Sequence, residues 1–263
     1  MDEQGLTRVD SAELLARLKD LHAHAGSAVV AFDGDGTLWS GDVGEDVFHR
    51  AVTERWLRTD ALPALASLAE THGVSRDGDA NDVARHIFEA YVAGTFPERE
   101  ACEVLTWCYA GFELHELETR CREALETAKI GSRLQRELEP ALEYCRSAGL
   151  RCIVVSASPR VAVEQAASLW GFSSNDIAAA TPRLSAGRIA PGMDGVTPYA
   201  LGKVQAARKL IGQAPWLASF GDNVFDIEMF QAARIGVAVR PKNTLRSRLR
   251  ELENVVLFED GAG

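Results

Sequence analysis

The fold of this chain is decided by the stretch AVVAFDGDGT, residues 28–37. Its first five residues are apolar, the pattern of a strand that is buried on both faces of a parallel sheet. Two aspartates, Asp33 and Asp35, follow the apolar run at once and are separated by one glycine. Ligands of open parallel sheets bind at the carboxyl ends of the strands. This stretch therefore predicts a central strand with a binding site at its end.

The rest of the chain continues the pattern of an α/β protein. Apolar runs predict strands at 152–155, 217–220, 235–239 and 255–258. Helical periodicity predicts helices near 12–21, 161–169, 203–211 and 227–233, and glycine and proline between 181 and 193 indicate a small hairpin or loop. The alternation is typical of a doubly wound α/β fold, with a mostly parallel sheet and crossover helices.

A long helical stretch interrupts this alternation directly after the first strand. From Asp42 to Lys129 the periodicity is helical almost throughout. We therefore expect two parts, an α/β core formed by residues 1–41 and 130–263, and an inserted all-helical cap domain at residues 42–129.

Composition excludes several classes of partner. The chain has 263 residues, 46% of them hydrophobic, and a formal net charge of -10. The apolar fraction is that of a globular protein. Nucleic acids and anionic membranes both select basic surfaces, so we expect neither as a partner. The composition leaves the oligomeric state open.

Targeting signals are also lacking in the sequence. No apolar stretch approaches the roughly 18 residues of a transmembrane helix. The first eight residues lack the basic start and apolar run of a signal peptide. The five cysteines form no Cys-x-x-Cys pair and fit reduced thiols, so we expect a cytoplasmic protein.

Polar residues follow three of the predicted strands. Because parallel strands end at one edge of their sheet, these residues should meet there, together with a lysine that opens the helix near 203. The residues expected at this edge are Asp33, Asp35, Thr37, Ser156, Ala157, Lys203, Asp222, Asn223 and Asp226.

These residue types suit the transfer of a phosphoryl group. Asp33 can attack phosphorus and form an aspartyl-phosphate. Asp35 lies on the same face of an extended segment and can protonate the leaving alkoxide. Four clustered aspartates need a counter-charge, which Mg²⁺ supplies. Lys203, and the amides after Ser156 at a helix start, would face the phosphate.

Each motif alone would more often be structural. Asp-Gly pairs are common turn elements, a Ser-Pro pair is most often an N-cap, Gly-Asp-Asn alone is a turn, and a lone lysine at a helix start is usually solvated. All four motifs, however, stand at strand ends or at an adjacent helix start, in compatible order. Their joint occurrence favours a functional interpretation.

The motif order Asp-x-Asp-Gly-Thr, apolar strand plus Ser, Lys, and Gly-Asp-x-x-x-Asp resembles the haloacid dehalogenase superfamily of phosphohydrolases. The helical insertion after the first motif is similar to the C1-type cap of its phosphoserine phosphatase-like branch. The resemblance extends from about residue 28 to residue 239 and implies a Rossmann-like core.

The resemblance also implies the role of each residue. It implies Asp33 as the nucleophile, Asp35 as the general acid and base, and Lys203 as a catalytic residue. The implied phosphate ligands are Thr37, Ser156, Ala157, Lys203 and Asn223, and the implied Mg²⁺ ligands are Asp33, Asp35 through its backbone carbonyl, Asp222 and Asp226. Because a dehalogenase does not need the acid and base, the presence of Asp35 favours a phosphatase.

Some positions depart from the phosphoserine phosphatases. Phe225 stands where that branch has an asparagine, and Asn223 is expected to take over the phosphate contact. The acidic residue that grips the substrate amine in that branch corresponds here to Asp42 or Glu45.

The counterpart of the cap arginine that should bind a substrate carboxylate is Glu103, with Arg99 one turn earlier. We therefore hypothesise an uncharged or amine-bearing phosphomonoester, such as phosphoethanolamine or phosphocholine. The alternative is that these acidic residues are merely solvated helix faces. Trp39 either lines the pocket at the cap hinge or packs between cap and core.

The sequence thus predicts a Mg²⁺-dependent phosphomonoesterase acting on a small metabolite. The alternatives are a phosphotransferase or phosphomutase of the same fold, a phospho-accepting receiver-type module, and a non-catalytic phosphate-binding protein. Receiver modules are about half as long and lack a helical insertion of this size.

Overall fold

The structure, a computed structural model, describes residues 6–259. Residues 1–5 and 260–263 of the predicted core lie outside this range. The strands are β1 (Arg8–Val9), β2 (Val29–Phe32), β3 (Arg151–Pro159), β4 (Ile177–Ala180), β5 (Pro182–Ser185), β6 (Arg188–Met193), β7 (Trp216–Gly221), β8 (Ile235–Val239) and β9 (Val255–Phe258). The helices are α1 (Ser11–Ala23), α2 (Val43–Thr53), α3 (Leu62–Thr71), α4 (Ala80–Val92), α5 (Glu98–Trp107), α6 (Leu114–Thr127), α7 (Glu139–Ser147), α8 (Arg160–Ser168), α9 (Leu201–Ile211), α10 (Ile227–Ala232) and α11 (Asn243–Arg246).

Seven strands form one parallel sheet in the order β1-β9-β8-β7-β2-β3-β4. The chain passes from β2 outward to β3 and β4 and then returns to β7 on the other side of β2. This reversal opens a crevice at the carboxyl end of β2, the usual ligand position in such sheets. The predicted doubly wound α/β fold is confirmed, and β5 and β6 form the expected hairpin.

Two edge strands, β1 and β4, were not predicted. β4 is formed by Ile177 and three alanines, and alanine has a weak preference for strands. β1 has only two residues. Both become strands by pairing with a neighbour, β9 or β3, which periodicity along the sequence does not report.

Helices α2 to α6 follow β2 and lie within the predicted insertion, residues 42–129. The chain leaves the core beside the point where it returns. The amide of Ser40 donates to the carbonyl of Arg133 at 2.9 Å, and the amide of Gln135 donates to the carbonyl of Leu38 at 2.9 Å. Helices α2 and α6 pack on α8, so one apolar cluster extends through both parts.

Among residues 6–259, no helix has the length and apolarity needed to cross a membrane.

Stacked aromatic rings hold β2 against β7 directly below the end of β2. Phe32 and Phe220 are fully buried and their ring centroids lie 4.5 Å apart, with Phe172 packed edge-on at 6.3 Å from Phe32. The amide of Asp33, the next residue, donates to the carbonyl of Phe220 at 2.9 Å. The core packing therefore fixes where Asp33 emerges from the sheet.

We expect Phe32→Ala to lower the free energy of unfolding by about 3–5 kcal/mol, because it leaves a cavity in a closely packed core. Chemical denaturation measures the loss. Val92→Ala on α4 is the control, since Val92 is 69% exposed and its truncation should change stability by less than about 0.5 kcal/mol. Similar losses in the two variants would contradict the packing described.

Candidate active site

A tight turn carries Asp33 and Asp35 out of β2. The amide of Leu38 donates to the carbonyl of Gly34 at 2.8 Å, which folds the chain back after one turn. Asp33 is only 5% exposed. The hydroxyl of Thr37 donates to its Oδ2 at 3.3 Å. Asp33 is thus buried at the end of the central strand, and its second oxygen, Oδ1, is directed away from Thr37.

That second oxygen contacts a buried lysine. Lys203 Nζ donates to Asp33 Oδ1 at 2.6 Å and also to Asp226 Oδ1. All three side chains are buried. Burial lowers the pKa of Lys203, but the charges of Asp226 and Asp33 outweigh it, and the pKa is raised. Lys203 is therefore a fixed cation at this site.

One ammonium does not balance the carboxylates around it. Burial raises the pKa of Asp33, Lys203 opposes the rise, and Asp226 and Asp222 add to it. The net effect is a pKa well above the ordinary value. The site therefore favours a second positive charge.

The turn after β7 positions Asp222 and Asp226. Asp226 Oδ2 accepts the amides of Asp222 at 3.1 Å and Asn223 at 2.9 Å. A Cβ atom on Gly221 would lie 2.5 Å from Asp226, so the turn closes this tightly only with glycine. This packing brings the carboxylate of Asp226 back against the end of β7, the strand that precedes it.

Three of these carboxylates could hold a metal ion. Asp33, Asp222 and Asp226 each offer one oxygen, and these oxygens lie within 4.8 Å of one another. Asp222 Oδ1 is buried and has no hydrogen-bond partner among residues 6–259. Carboxylate oxygens are the ligands that Mg²⁺ prefers. The residues therefore fit a Mg²⁺ ion, which would complete the contacts of that oxygen.

Asp35 points away from this group and has four donors of its own. Its Oδ1 accepts the indole N–H of Trp39 and the amide of Val43, both at 2.8 Å. Its Oδ2 accepts the hydroxyls of Ser158 at 2.7 Å and Ser156 at 3.3 Å. The side chain of Asp35 is therefore held by the first turn, by the start of α2 and by the end of β3.

The structure places Trp39 below the site. Its side chain is fully buried, and a Cβ atom on Gly34 would lie 2.7 Å from its ring. Its indole fills the space under the turn, and Trp39 does not line the cavity described next. Thr37 is likewise fully buried behind Asp33 and does not line the cavity described next.

A cavity of about 310 Å³ opens at the carboxyl edge of the sheet. Its lining combines residues of the core and of the helical insertion. The lining residues are Asp33, Asp35, Gly36, Gly41, Asp42, Glu45, Tyr91, Glu98, Cys102, Ser156, Ala157, Ser158, Tyr199, Lys203, Asp222, Asn223, Phe225 and Lys242. The predicted phosphate contacts Ser156, Ala157, Lys203 and Asn223 thus meet at one place, beside the predicted specificity residues Asp42 and Glu45.

The structure differs from the sequence-based expectation at Arg99 and Glu103. Neither residue lines the cavity. Arg99 Nε lies 3.1 Å from Glu103 Oε1, which also accepts the hydroxyl of Thr197 at 2.6 Å. Glu98 and Cys102, one position earlier and four residues apart, form the cavity face of α5. A shift of one residue rotates a helix by roughly 100°, so the sequence register selected the wrong face.

Several lining residues were missed by the sequence analysis, among them Tyr91, Glu98, Cys102, Tyr199 and Lys242. Tyr91, Glu98 and Tyr199 reach the cavity only through the packing of α4, α5 and the segment before α9, for which no sequence signal was available. Lys242 follows the end of β8, so reading that strand end as well would have found it. Its ammonium lies 3.5 Å from Asp222 Oδ2.

Comparisons with known proteins agree with this arrangement. The family model described as haloacid dehalogenase-like hydrolase matches residues 30–231. No curated protein sequence matches the chain significantly. The resemblance drawn from the motifs is confirmed at the level of the family.

Solved structures share the fold. A protein with unknown function from Bordetella pertussis Tohama I is 20% identical, with a TM-score of 0.64 over 88% of this chain and 98% of its own. A conserved, functionally unknown protein from Anaerococcus prevotii DSM 20548 is 15% identical, with a TM-score of 0.67 over 97% and 93%. A phosphoserine phosphohydrolase-like protein from Francisella tularensis subsp. tularensis SCHU S4 is 14% identical, with a TM-score of 0.54 over 87% and 94%.

We expect Gly36→Ala to weaken Mg²⁺ binding by at least about tenfold, because the new Cβ would lie 2.1 Å from Asp222 Oδ2. Titration calorimetry with Mg²⁺ measures the change. Gly26→Ala is the control, since Gly26 also has a positive φ, +61°, but has no atom within 4 Å of the added carbon. Gly26→Ala should lower the free energy of unfolding by only roughly 1–2 kcal/mol, the cost of an alanine in the left-handed conformation. Equal Mg²⁺ affinity in both variants would contradict the prediction.

Magnesium should stabilise the protein more at neutral pH than at acidic pH. Burial raises the pKa of Asp222 to about 6, above the roughly 3.9 of an unfolded aspartate. The contribution of Asp222 to metal-free stability therefore falls as pH rises from about 4 through 6. Above that range the carboxylate is ionised, the form in which it would bind Mg²⁺. Thermal unfolding with and without Mg²⁺ at pH 5 and pH 7.5 tests this, and equal shifts in Tm would refute it. Asp222→Asn should reduce the difference between the two pH values.

Proposed function

The chain belongs to the haloacid dehalogenase-like hydrolases, and from this premise we propose that it is a Mg²⁺-dependent phosphatase of a small phosphomonoester. The observation that carries the proposal is the contact between two buried side chains, Asp33 and Lys203, on the floor of a cavity that also holds the unpartnered oxygen of Asp222. A nucleophile, a fixed cation and a place for a second cation are the requirements of phosphoryl transfer through an aspartate.

Asp33 is the nucleophile in this proposal. One of its carboxylate oxygens attacks phosphorus, and the bond from phosphorus to the ester oxygen breaks, leaving an acyl phosphate on Asp33. Lys203 holds the attacking carboxylate in place and faces the negative charge that spreads over the phosphoryl oxygens. Ser156, Ala157 and Asn223 line the same part of the cavity and bind the phosphate.

A Mg²⁺ ion bound by Asp33, Asp222 and Asp226, with the backbone carbonyl of Asp35, would add positive charge against the phosphoryl oxygens. Lys203 cannot replace it alone, because its single positive charge is already shared between Asp33 and Asp226.

Asp35 is the general acid and base. It protonates the leaving alkoxide and then takes a proton from the water that attacks the acyl phosphate, which releases inorganic phosphate and restores Asp33. Its four hydrogen-bond donors fix the carboxylate at the wall of the cavity, next to Ser156. In the proposal the ester oxygen of the substrate lies on this side of the cavity.

The helical insertion, residues 42–129, serves as the cap in this proposal, and residues 1–41 and 130–263 form the catalytic core. The support is the lining of the cavity, since Glu45, Tyr91 and Glu98 come from the insertion and Asp33 and Lys203 from the core. At about 310 Å³ the cavity is at the small end of ligand pockets. The substrate is accordingly a small metabolite ester.

The substrate is uncharged or amine-bearing at the end remote from the phosphate. Among the described residues, none that lines the cavity is an arginine, whereas Asp42, Glu45 and Glu98 are acidic. A second carboxylate on the substrate would meet like charge there. L-phosphoserine is therefore a poorer substrate than an ester without the carboxylate.

An aryl phosphate in the presence of Mg²⁺ tests the reaction itself. We expect Asp33→Asn to lower kcat by a factor on the order of 10³ or more, and Asp35→Asn by roughly 10²–10⁴. Asp20→Asn, an equal change on the exposed face of α1, should leave kcat unaltered.

Mass spectrometry of acid-quenched protein during turnover should show one added phosphoryl group, located on the peptide that contains Asp33. Hydrolysis that survives Asp33→Asn, or that does not depend on a divalent cation, would refute the proposal.

A further inference from the structure

We infer that the outer part of the cavity binds a cationic ammonium group, so that the substrate is the phosphate ester of an amino alcohol, with an N-methylated nitrogen preferred. This inference rests on the proposed phosphatase function. The outer pocket is defined here as Glu45, Tyr91, Glu98, Tyr199 and Phe225.

Two carboxylates in the outer pocket have no hydrogen-bond or ion-pair partner in the part of the chain that the structure describes. Glu45 and Glu98 are partly buried and line the cavity. Neither side chain has a hydrogen bond or ion pair with any residue in the range 6–259. Burial raises the pKa of both, and the attraction of His49 for Glu45 and of Lys242 for Glu98 only partly opposes it. Partly desolvated carboxylates without a partner gain free energy when a cation fills the space between them.

Asp42, the residue first expected to bind the amine, is already engaged. Its Oδ1 accepts the amide of Glu45 at 2.9 Å, as the N-cap of α2, and lies 3.4 Å from the hydroxyl of Ser158. That carboxylate helps to begin a helix. The carboxylates left free to meet a ligand are therefore Glu45 and Glu98.

Aromatic rings form the remaining walls of the outer pocket. The rings of Tyr199 and Phe225 lie with centroids 4.3 Å apart at an interplanar angle of 36°. Tyr91 lies among the same acids, since its pKa is raised by burial and then by the charges of Glu98 and Glu45. Aromatic faces attract cations, and they suit a methylated ammonium, which has few hydrogen-bond donors to satisfy. Acids together with rings favour an alkylated cation over a neutral alcohol.

Lys242 at the rim does not neutralise the outer pocket. Its ammonium lies 3.5 Å from Asp222 Oδ2, on the side of the metal site, and its side chain is 57% exposed. Glu45 and Glu98 make no ion pair with it. A negatively charged group on the substrate would therefore enter a space where two carboxylates lack a cation.

A pair of substrates of equal shape tests the inference. Phosphocholine and 3,3-dimethylbutyl phosphate differ only in a charged nitrogen and a neutral carbon. We expect kcat/KM to favour phosphocholine by roughly 10–100-fold, the size of one or two cation contacts. Phosphoethanolamine should fall between the two, and phosphoserine should fall below phosphoethanolamine.

Variants locate the effect. Glu98→Gln and Tyr91→Leu should each reduce the ratio of the two kcat/KM values by about three- to tenfold. Glu100→Gln is the matched control, because Glu100 is on the same helix but contacts His72 at 3.0 Å, away from the cavity. It should leave the ratio unchanged.

The outcomes separate the two proposals. If an aryl phosphate is hydrolysed with Mg²⁺ but phosphocholine and its neutral analogue are turned over equally well, the ammonium inference is wrong and the phosphatase function stands. If no ester is hydrolysed, the phosphatase function is wrong. Calorimetric binding of phosphocholine against 3,3-dimethylbutyl phosphate then decides the inference, and equal affinities would overturn it.

Discussion

The contact of the Lys203 ammonium with Asp33 and Asp226 is the interaction on which the site depends. Burying these charges is favourable only if all three groups are held in contact, because an unpaired charge at this depth would be severely destabilising. Several local features serve that requirement. A Cβ atom on Gly202 would lie 2.0 Å from the carbonyl oxygen of Thr197, so the turn that begins α9, one residue before Lys203, closes this tightly only with glycine. The stacking of Phe32 on Phe220 sets the relative height of the two strand ends.

Much of the fold could be predicted from the sequence, and so could the group of charged residues at the end of β2, because both depend on short-range patterns. Strongly apolar runs identified the central strands, and the rule that parallel strands end at one edge brought Asp33, Lys203, Asp222 and Asp226 together. β4 was not predicted, because its three alanines have little preference for strands and form one only by pairing with β3. Arg99 and Glu103 were wrongly assigned to the cavity because the sequence does not report which face of α5 packs towards it. An error of one residue in the register is enough to select another face of a helix.

The outer pocket could not be predicted from the sequence either, because it also depends on tertiary packing. Tyr91 and Glu98 lie on successive helices and Tyr199 precedes α9, and the three converge only when α4 and α5 pack over the end of the sheet. Asp42 illustrates a further difficulty, since its position after the first motif suggested ligand binding while its carboxylate caps α2. Which of several nearby acids is free for a ligand depends on the hydrogen bonds of the folded chain. Sequence alone could therefore indicate an acidic pocket but not identify its unpartnered members.

The reacting groups and the residues of the outer pocket differ in how tightly their backbone is packed, and this difference has an evolutionary consequence. The reacting groups stand on turns packed so closely that a Cβ atom at Gly36 or Gly221 would collide with an aspartate. By contrast, Glu45 and Glu98 lie on helices, and their side chains make no hydrogen bond or ion pair with residues 6–259. If they bind the substrate as inferred above, replacing them would alter what is recognised while the reaction centre keeps its geometry. Drift in substrate range by single mutations is thus compatible with unchanged chemistry, and laboratory selection for new phosphate esters would begin at these helical positions.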